Sequence, residues 1–406
     1  MSAIAVAPAA DLDRRGLGLL GFAHLSVDLC QAATPALLPF FVERRGYSYA
    51  AAGALVFAAT VGSSFIQPLF GHAADRLKLP WLMPLGVLLA GAGIGLAGIA
   101  PSYALTFAAI VLSGIGVAAF HPEGARHANY ASGALKARGM SLFALGGNAG
   151  FALGPVLTTV CVLAVGLPGT LLVALVPTAA AATLVVKRAR LGEVRERGLN
   201  AAAAEAHVER EDRWGPFARL TGVISLRSCV HFGLLAFVPV WFVSQLGTSE
   251  AAGNAALTAM LASGAVGTLV GGRIADRVGQ RTILLGALAL AGPVILAFIH
   301  APAGLAFLLI ALTGMLIVGT FAITVVIGQS YLPNRLGMAS GVTLGAAIGV
   351  GGAIAPLLGV LADAQGIEAA MWTIAALPPA ALALGLTLPG QVPKTRSPAS
   401  PSPGRI

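Results

Sequence analysis

The sequence predicts an all-α, polytopic membrane protein with twelve transmembrane helices. Hydrophobic residues make up 57% of the 406 residues and charged residues only 10%, whereas soluble domains carry about 25% charged residues. Apolar runs recur along the whole chain, each near the roughly 20 residues that a helix needs to cross a bilayer core. Because lipid satisfies no backbone polar groups and the runs lack a period-two alternation, they must be helices rather than barrel strands.

Six predicted helices precede a long polar segment, and six follow it. They span residues 17–42, 50–70, 80–100, 103–124, 138–160 and 168–187, then 218–243, 252–271, 281–300, 303–330, 336–361 and 367–389. The chain therefore divides into an N-terminal segment 1–15, a first half 16–187, a linker 188–217, a second half 218–390 and a tail 391–406. We expect that the N-terminal segment is not a cleaved signal peptide. We expect the linker to be solvated and partly helical, and the tail to be disordered.

The positions of the basic residues predict the orientation. Of the 25 Lys and Arg residues, only Arg44, Arg45 and Arg227 lie away from the side that holds both termini and the linker. Positively charged loops remain cytoplasmic, so we expect a multi-pass protein of the plasma or bacterial inner membrane with both termini in the cytoplasm. Topology accounts for the net charge of +9, and we expect lipid rather than nucleic acid as the partner.

The two halves repeat one another. Five residues of the first half recur 201 positions later: Gly71, Asp75, Arg76, Gly150 and Pro155 return as Gly272, Asp276, Arg277, Gly351 and Pro356. Duplication of a six-helix unit is typical of secondary transporters, whose substrate site lies near the membrane midplane between the repeats. We therefore predict that the protein moves a small-molecule substrate across the bilayer.

Several motifs resemble those of one transporter family. GRIADRVGQR, at 272–281, resembles the conserved loop of the major facilitator superfamily, and GHAADRLKLP, at 71–80, is its counterpart. GVAAFHPEGARHA, at 116–128, and MSLFALGGNAGFALGP, at 140–155, resemble the fosmidomycin-resistance branch. The resemblance implies a proton-driven drug efflux pump that exports a small anionic compound. It also implies a gating loop, formed by Gly71, Asp75, Arg76, Gly272, Asp276, Arg277 and Arg281.

The fifth predicted helix carries small residues at a spacing of four. Gly146, Gly150, Gly154 and Pro155 are similar to the antiporter motif of exporters in that superfamily. Glycines four apart form a smooth stripe that lets helices approach closely, and proline adds a bend. The stripe is therefore either ordinary helix packing or a part of the transport cycle.

The first predicted helix places polar residues on one face. His24, Asp28, Gln31 and Pro35 follow at spacings of 4, 3 and 4. An ionisable residue inside a membrane usually faces a cavity, and the resemblance implies that this helix lines the central one. Asp28 is the leading candidate for proton coupling, and His24 and Gln31 are candidates for substrate binding. The alternative is a permanently paired, structural Asp28.

The fourth predicted helix carries His121, Glu123, Arg126 and His127 near its cytoplasmic end. Pro122 removes a backbone donor and leaves carbonyl groups free for a solute, which makes His121 a candidate substrate ligand. Glu123 is the second proton-coupling candidate, or it pairs with Arg126 as a gate. The two histidines and Glu123 are metal-ligand types, but the proline disturbs their spacing and no HExxH pattern occurs, so we predict no metal site.

The seventh predicted helix places Arg227 and His231 one turn apart, and both are substrate-binding candidates. A guanidinium group within a span requires an anion, either Asp28 or a substrate phosphonate or carboxylate. In an exchange model, protonation of Asp28 frees Arg227 for the substrate. A fixed pair of the two charges is the alternative.

The tenth predicted helix contributes Thr313, Thr320 and Thr324 on one face. Thr320 and Thr324 are candidates for hydrogen bonds to a polar substrate. Threonine hydroxyls in helices often bond their own backbone instead.

These features favour a proton-coupled antiporter that works by alternating access, with a proton symporter that imports a small organic anion as the alternative. No GxSxG, HExxH or nucleotide-binding motif occurs, so we predict no enzyme and no ATP drive. We expect no cofactor, with a proton gradient as the energy source, and a monomer.

Overall fold

The computed structural model describes residues 12–67, 69–70, 81–133, 135–202, 211–333, 335, 338–339 and 342–390, and these ranges contain helices and short connections without a β-strand. The helices are α1 (Arg14–Arg45), α2 (Tyr49–Thr60), α3 (Leu82–Ile99), α4 (Tyr103–Ala131), α5 (Lys136–Val165), α6 (Thr170–Val173), α7 (Leu175–Val186), α8 (Arg188–Ala202), α9 (Trp214–Ser244), α10 (Glu250–Val278), α11 (Gln280–Ile299), α12 (Ala303–Ile317), α13 (Phe321–Tyr331), α14 (Ala347–Gln365) and α15 (Ile367–Leu386). A π-helical segment, Val61–Phe65, follows α2, and a second, Val342–Ala346, precedes α14.

Ten helices in the described ranges are long and apolar enough to cross a membrane. Two shorter apolar helices, Tyr49–Ser64 and Gly349–Gln365, stand at the positions of the second and eleventh predicted spans. Large apolar side chains such as Val186, Leu308 and Leu357 are exposed on the outside of the bundle, where lipid rather than water suits them. The protein is therefore an all-α, multi-pass membrane protein.

Side-chain caps and glycines define where the helices begin and end. Asp13 accepts a hydrogen bond from the Gly16 amide and starts α1, and Ser48 and Ser249 start α2 and α10 in the same way. These side chains satisfy amide groups that have no partner within the helix. Gly46 ends α1 with a φ of 65°, a left-handed conformation that glycine adopts without a steric penalty.

The glycine stripe of α5 packs directly on the backbone of α1. A Cβ atom at Gly146 or Gly150 would overlap the carbonyl oxygen of Gly21 or Leu25, and one at Gly154 would lie 2.7 Å from the Ala32 Cβ. Helix α5 continues past Pro155 to Val165.

The second half repeats this close packing. Gly351, the counterpart of Gly150, lies against Ser228 of α9. The 201-residue repeat therefore preserves a backbone contact in each half.

Two predicted elements are wrong in detail. The segment from Gly272 to Arg277, predicted as a loop, belongs to α10, and the connection to α11 is Gly279 alone, whose φ of 94° makes the turn. Arg281 lies in α11 and donates to the Leu386 carbonyl oxygen at 2.9 Å. The first copy of the predicted gating loop, Gly71, Asp75 and Arg76, lies outside the described residues, as does the side chain of Asp276.

The tenth predicted helix is also interrupted. It consists of α12 and α13, with a break at residues 318–320. Gly319 lies so close to α10 that an added Cβ would be 3.0 Å from the Gly267 Cα. A continuous apolar run carries no signal for a break at this position.

Polar contacts join the two halves at the end of the bundle that holds Arg44. Both oxygens of Glu250, in α10, accept hydrogen bonds from the Arg44 guanidinium group, at 3.2 and 2.7 Å. Asp363 of α14 accepts from the Tyr49 and Ala50 amides at 2.8 and 2.9 Å, and so binds the N-terminus of α2. The halves are therefore closed against each other at this end.

Asp363→Ala is expected to favour the state in which this end is open. The exposed ion pair of Arg44 contributes little, whereas loss of two charge-assisted hydrogen bonds at an exposed site costs about 1 kcal/mol, a change of about fivefold in population. Spin labels at Glu43 and Ser244, exposed near this end of α1 and α9, will report the opening as a longer distance. Glu368→Ala removes an exposed acidic side chain of the neighbouring α15 and serves as the control, and equal distances in both variants would contradict the prediction.

The other end of the bundle carries the predicted linker. Residues 188–202 form α8, which buries Leu191 and Val194 against the first half, and residues 203–210 lie outside the described ranges. Arg190 and Arg197 of α8 form ion pairs with Asp13, the residue that caps α1. The linker is thus partly helical, and its helix is held to the start of α1.

This contact is expected to depend on pH. Burial alone would raise the pKa of Asp13, but the Gly16 amide and the two arginines more than offset it, so its pKa lies below the ordinary value of 3.8. A lowered pKa in the folded state stabilises the protein above the unfolded pKa, and this contribution is lost as pH falls through the folded value. The difference in unfolding free energy between wild type and Asp13→Asn should therefore be constant above about pH 5 and shrink as the pH falls further, and a difference that stays constant would contradict the assignment.

Candidate functional site

A buried cluster of three titratable side chains lies between α1 and α4. The Nε2 atom of His24 is 3.2 Å from Oδ2 of Asp28, and Nε2 of His121 is 3.2 Å from Oδ1. The spacing of four residues in α1 places His24 beside Asp28, and the packing of α4 brings in His121. Asp28 is only 4% exposed, so its charge depends on these two partners.

Backbone carbonyl groups orient both imidazole rings. The Nδ1 atom of His24 lies 2.9 Å from the Phe143 carbonyl oxygen, and Nδ1 of His121 lies 2.9 Å from that of Val117. A carbonyl oxygen only accepts hydrogen bonds, so each Nδ1 carries the proton. In a neutral imidazole the Nε2 atom then carries no proton, and its lone pair faces the carboxylate. Three acceptors therefore converge at Asp28, and the cluster is stable only when protons or another cation lie between them.

Residues of α5 close the cluster. The Phe143 ring stacks on His24 with centroids 4.1 Å apart, and a Cβ atom at Gly147 would lie 2.5 Å from Oδ2 of Asp28. Sequence reasoning missed both residues. The adjacent glycines Gly146 and Gly147 were the available signal, since one contacts α1 and the other faces the carboxylate.

The same three ligand atoms lie within 4.8 Å of one another, a spacing that would suit a small cation. The set considered from the sequence was different, since it joined His121 to Glu123 and His127. In the structure His121 points to Asp28 instead. The absence of a metal site stays a prediction.

Glu123 belongs to a separate cluster further along α4. It is buried, forms an ion pair with Arg126, and has Oε1 at 3.5 Å from Nδ1 of His127. The paired arrangement is the alternative that the sequence left open for Glu123. The helix continues through Pro122 to Ala131, seven residues beyond its predicted end.

Arg227 is bound within the second half and does not pair with Asp28. Its Nη1 atom donates to the Ile317 carbonyl oxygen at 2.9 Å, and the guanidinium carbon lies 5.0 Å from the centre of the Phe321 ring. Its Nε atom is buried without a hydrogen-bond partner. No ion pair joins Arg227 to a carboxylate among the side chains that the structure describes. Each half thus holds one charge of the expected pair.

A cavity between the halves brings two further candidates together. Gln31 and Thr34 of α1 line it from the first half, and His231 and Phe232 of α9 line it from the second. The Thr34 hydroxyl is buried without a hydrogen-bond partner. The space open to the centre of a water molecule is about 40 Å³, and one water needs about 10–15 Å³. The cavity in this conformation therefore suits a few waters or a very small polar group.

The threonine candidates bond their own helix. The Thr320 hydroxyl donates to the Ile317 carbonyl oxygen at 3.0 Å, and the Thr324 hydroxyl donates to that of Phe321 at 2.7 Å. Thr313 does the same with Leu309. Only the lone pairs of these hydroxyl groups remain for a substrate.

Comparison with known proteins identifies the family of this helical membrane protein. The family model of the Major Facilitator Superfamily matches residues 20–356 and, in a second alignment, residues 234–405. The chain belongs to this superfamily. Major facilitator proteins are membrane transporters and not enzymes, and they bind small-molecule substrates within the membrane.

Two relatives match this major facilitator protein over nearly their whole length. The "Uncharacterized MFS-type transporter YfnC" of Bacillus subtilis (strain 168) is 30% identical over 365 residues, with 89% of each chain covered. The "Fosmidomycin resistance protein" of Escherichia coli (strain K12) is 27% identical over 369 residues, covering 89% of this chain and 90% of the relative.

Solved structures show the same fold at low sequence identity. A bacterial homologue of the human lysosomal transporter Spinster, in an inward-facing and occupied conformation, is 14% identical, with a TM-score of 0.74 and coverage of 93% and 97%. A point mutant of the nucleoside transporter NupG is 14% identical, with a TM-score of 0.71 and coverage of 92% and 99%.

Proposed function

We propose that the protein is a proton-coupled antiporter that exports a small anionic or drug-like compound by alternating access. The observation that carries the proposal is the convergence of three acceptors at Asp28, with Nδ1 of His24 and His121 already donating to carbonyl groups. The cluster binds protons because both neighbouring imidazoles, while neutral, present only acceptors to the carboxylate, whereas an imidazole protonated at Nε2 donates to it. The cluster is therefore the proton site, with Asp28 as its centre.

The substrate binds between this site and Arg227. The two charges belong to different halves and have separate partners, and the cavity lined by Gln31 and His231 lies between the halves. Rocking of the halves opens such a central site to one side at a time. The contacts of Arg44 and Asp363 hold the predicted outer end closed, so the next opening is toward the cytoplasm.

Export rather than import is supported by two observations. The glycine stripe of α5 packs on the helix that carries Asp28, and one relative is named for resistance to fosmidomycin. In an antiporter the substrate must bind when the proton site is empty. The substrate should then carry a hydroxyl, amide or amino donor that satisfies Asp28 in place of a proton, besides its anionic group.

The second candidate function is a proton symporter that imports a small organic anion, and one electrostatic argument supports it. A substrate with negative charge alone binds best when the cluster of His24, Asp28 and His121 is protonated, because the added positive charge attracts it. Proton and anion would then share the same loaded state. The direction of proton movement during substrate flux distinguishes the two candidates.

The test uses purified protein in vesicles of known orientation that contain a pH-sensitive dye. A substrate gradient of fosmidomycin, or of other small anions, is imposed without a pH gradient. An antiporter moves protons against the direction of substrate flux, and a symporter moves them with it. Substrate flux that leaves the internal pH unchanged, at equal membrane potential, would overturn proton coupling altogether.

A further inference from the structure

The break in the tenth predicted helix interrupts the regular backbone hydrogen bonding in the middle of the second half. Helix α12 ends at Ile317 and α13 begins at Phe321, while Gly319 between them lies against Gly267 of α10. Interrupted helices in transporters expose carbonyl groups and half-helix N-termini at depths where regular helices offer none. The break lies within a 29-residue apolar span, Ala303–Tyr331.

The carbonyl side of the break is satisfied. The Ile317 oxygen accepts hydrogen bonds from Arg227 and from the Thr320 hydroxyl, at 2.9 and 3.0 Å. On the amide side, the Phe321 amide donates to the Val318 carbonyl oxygen at 3.0 Å, but a side-chain cap is lacking. Thr320 is the residue before α13, and its hydroxyl makes no capping bond to the first-turn amides. Helix α13 has 11 residues, so its N-terminus carries the partial positive charge of the helix dipole.

Arg227 adds a full positive charge at the same place. The side chain is 2% exposed, its guanidinium carbon lies 5.0 Å from the ring of Phe321, the first residue of α13, and its Nε atom has no hydrogen-bond partner. No ion pair with a carboxylate compensates it in the part of the chain that the structure describes. A buried, uncompensated guanidinium group beside a helix N-terminus requires an anion.

We propose that this break is an oxoanion subsite, in which Arg227 and the N-terminus of α13 bind the phosphate-, phosphonate- or carboxylate-type group of the substrate. The inference rests on the proposed function, since it assigns the anionic group of the exported compound to the second half. His231, one turn from Arg227 on α9, lines the cavity between the halves and so connects the subsite to the route from the first half. Guanidinium N–H groups pair with oxoanions in a bidentate manner, which the free Nε atom allows.

The test measures binding without transport. Full-length protein in detergent is unfolded thermally in sodium phosphate and in sodium chloride at equal pH and ionic strength. Saturation of one site should raise the Tm of the wild type in phosphate by about 3 °C or more, and Arg227→Gln should abolish the shift while Arg227→Lys retains part of it. An equal Tm of the wild type in both salts, or an unchanged shift in Arg227→Gln, would overturn the subsite.

A second variant distinguishes loss of the subsite from misfolding of the arginine variants. Thr320→Asp places a carboxylate at the start of α13, beside Arg227, and thus supplies the anion within the chain. It should raise the Tm in chloride and remove the further shift in phosphate, whereas a full phosphate shift in this variant contradicts the proposal. Acetate distinguishes the chemistry, since a shift in acetate as well supports carboxylate binding and a shift in phosphate alone supports a tetrahedral oxoanion.

The result is separable from the proposed function. Phosphate binding in detergent needs no proton gradient, and proton flux in vesicles needs no phosphate. Loss of the phosphate shift with intact proton-coupled flux overturns the subsite alone. A phosphate shift without any proton coupling overturns the antiporter alone.

Discussion

Asp28→Asn is expected to reduce proton-driven transport by about 100-fold or more at unchanged expression. In the wild type the carboxylate compensates positive charge on His24 and His121, each held 3.2 Å away. Removal of one partner from a buried ion pair costs about 3–5 kcal/mol, which lowers the population of the protonated cluster by about 100-fold or more. Vesicle assays of substrate flux under an imposed pH gradient, combined with the dye signal, measure this loss.

Two comparisons make this result specific to proton coupling. Exchange of labelled for unlabelled substrate requires no net proton movement, so Asp28→Asn should retain part of it, because the asparagine carbonyl oxygen still accepts a hydrogen bond from the substrate. Glu123→Gln removes a buried carboxylate that is paired with Arg126 instead, and it should lower stability more than coupling. Full gradient-driven flux in Asp28→Asn would show that the proton binds elsewhere.

Gly150→Ala is expected to lower both the stability of the protein and its transport rate. The new Cβ would overlap the Leu25 carbonyl oxygen and lie 2.9 Å from the Leu29 amide nitrogen. Both are backbone atoms of α1, so no side chain can rotate away, and overpacking of this kind costs about 1–3 kcal/mol. Displacement of α1 also moves Asp28 away from His121. We expect a lower Tm together with a loss of transport.

Gly18→Ala is the matched control, because it lies on the partner helix α1 and an added Cβ meets no atom within 4 Å. Gly147→Ala separates the two causes of lost transport. Its Cβ would lie 2.5 Å from Oδ2 of Asp28 and 2.6 Å from the His24 ring, so it disturbs the proton site directly. Wild-type Tm and flux in Gly150→Ala would contradict the packing that the structure places there.

The fold follows from features that are local in the sequence. Apolar runs of a length suited to the bilayer predict helices regardless of their neighbours, because an unpaired backbone is too costly in lipid. The repeated glycines were informative for the same reason, since Gly150 and Gly351 each mark a backbone contact. Helix ends were less predictable. Helix α4 runs to Ala131 and α10 to Val278, because polar residues near the interface can continue a helix as easily as end it.

The sequence indicates which polar residues form the candidate site, but it indicates only some of the contacts between them. The spacing in α1 places His24 and Asp28 on one face, and a buried charge in a span is a functional candidate from sequence alone. Of the two anions that the sequence left open for Arg227, Asp28 is not its partner in the structure. Arg227 is a plausible counter-ion by charge, but it bonds Ile317, while the contact of Asp28 with His121 arises from the packing of α1 on α4.

Composition and the length of the apolar runs thus suffice to predict the helical membrane fold and the polar residues inside the spans. Both depend on the free energy of transferring each segment from water to lipid, which the segment's own residues determine. Which of these residues meet is decided by side-chain contacts between helices distant in sequence. Gly147 leaves room for Asp28, and Gly319 allows the break beside Arg227. Both depend on the surface of a neighbouring helix, which periodicity within one segment does not encode.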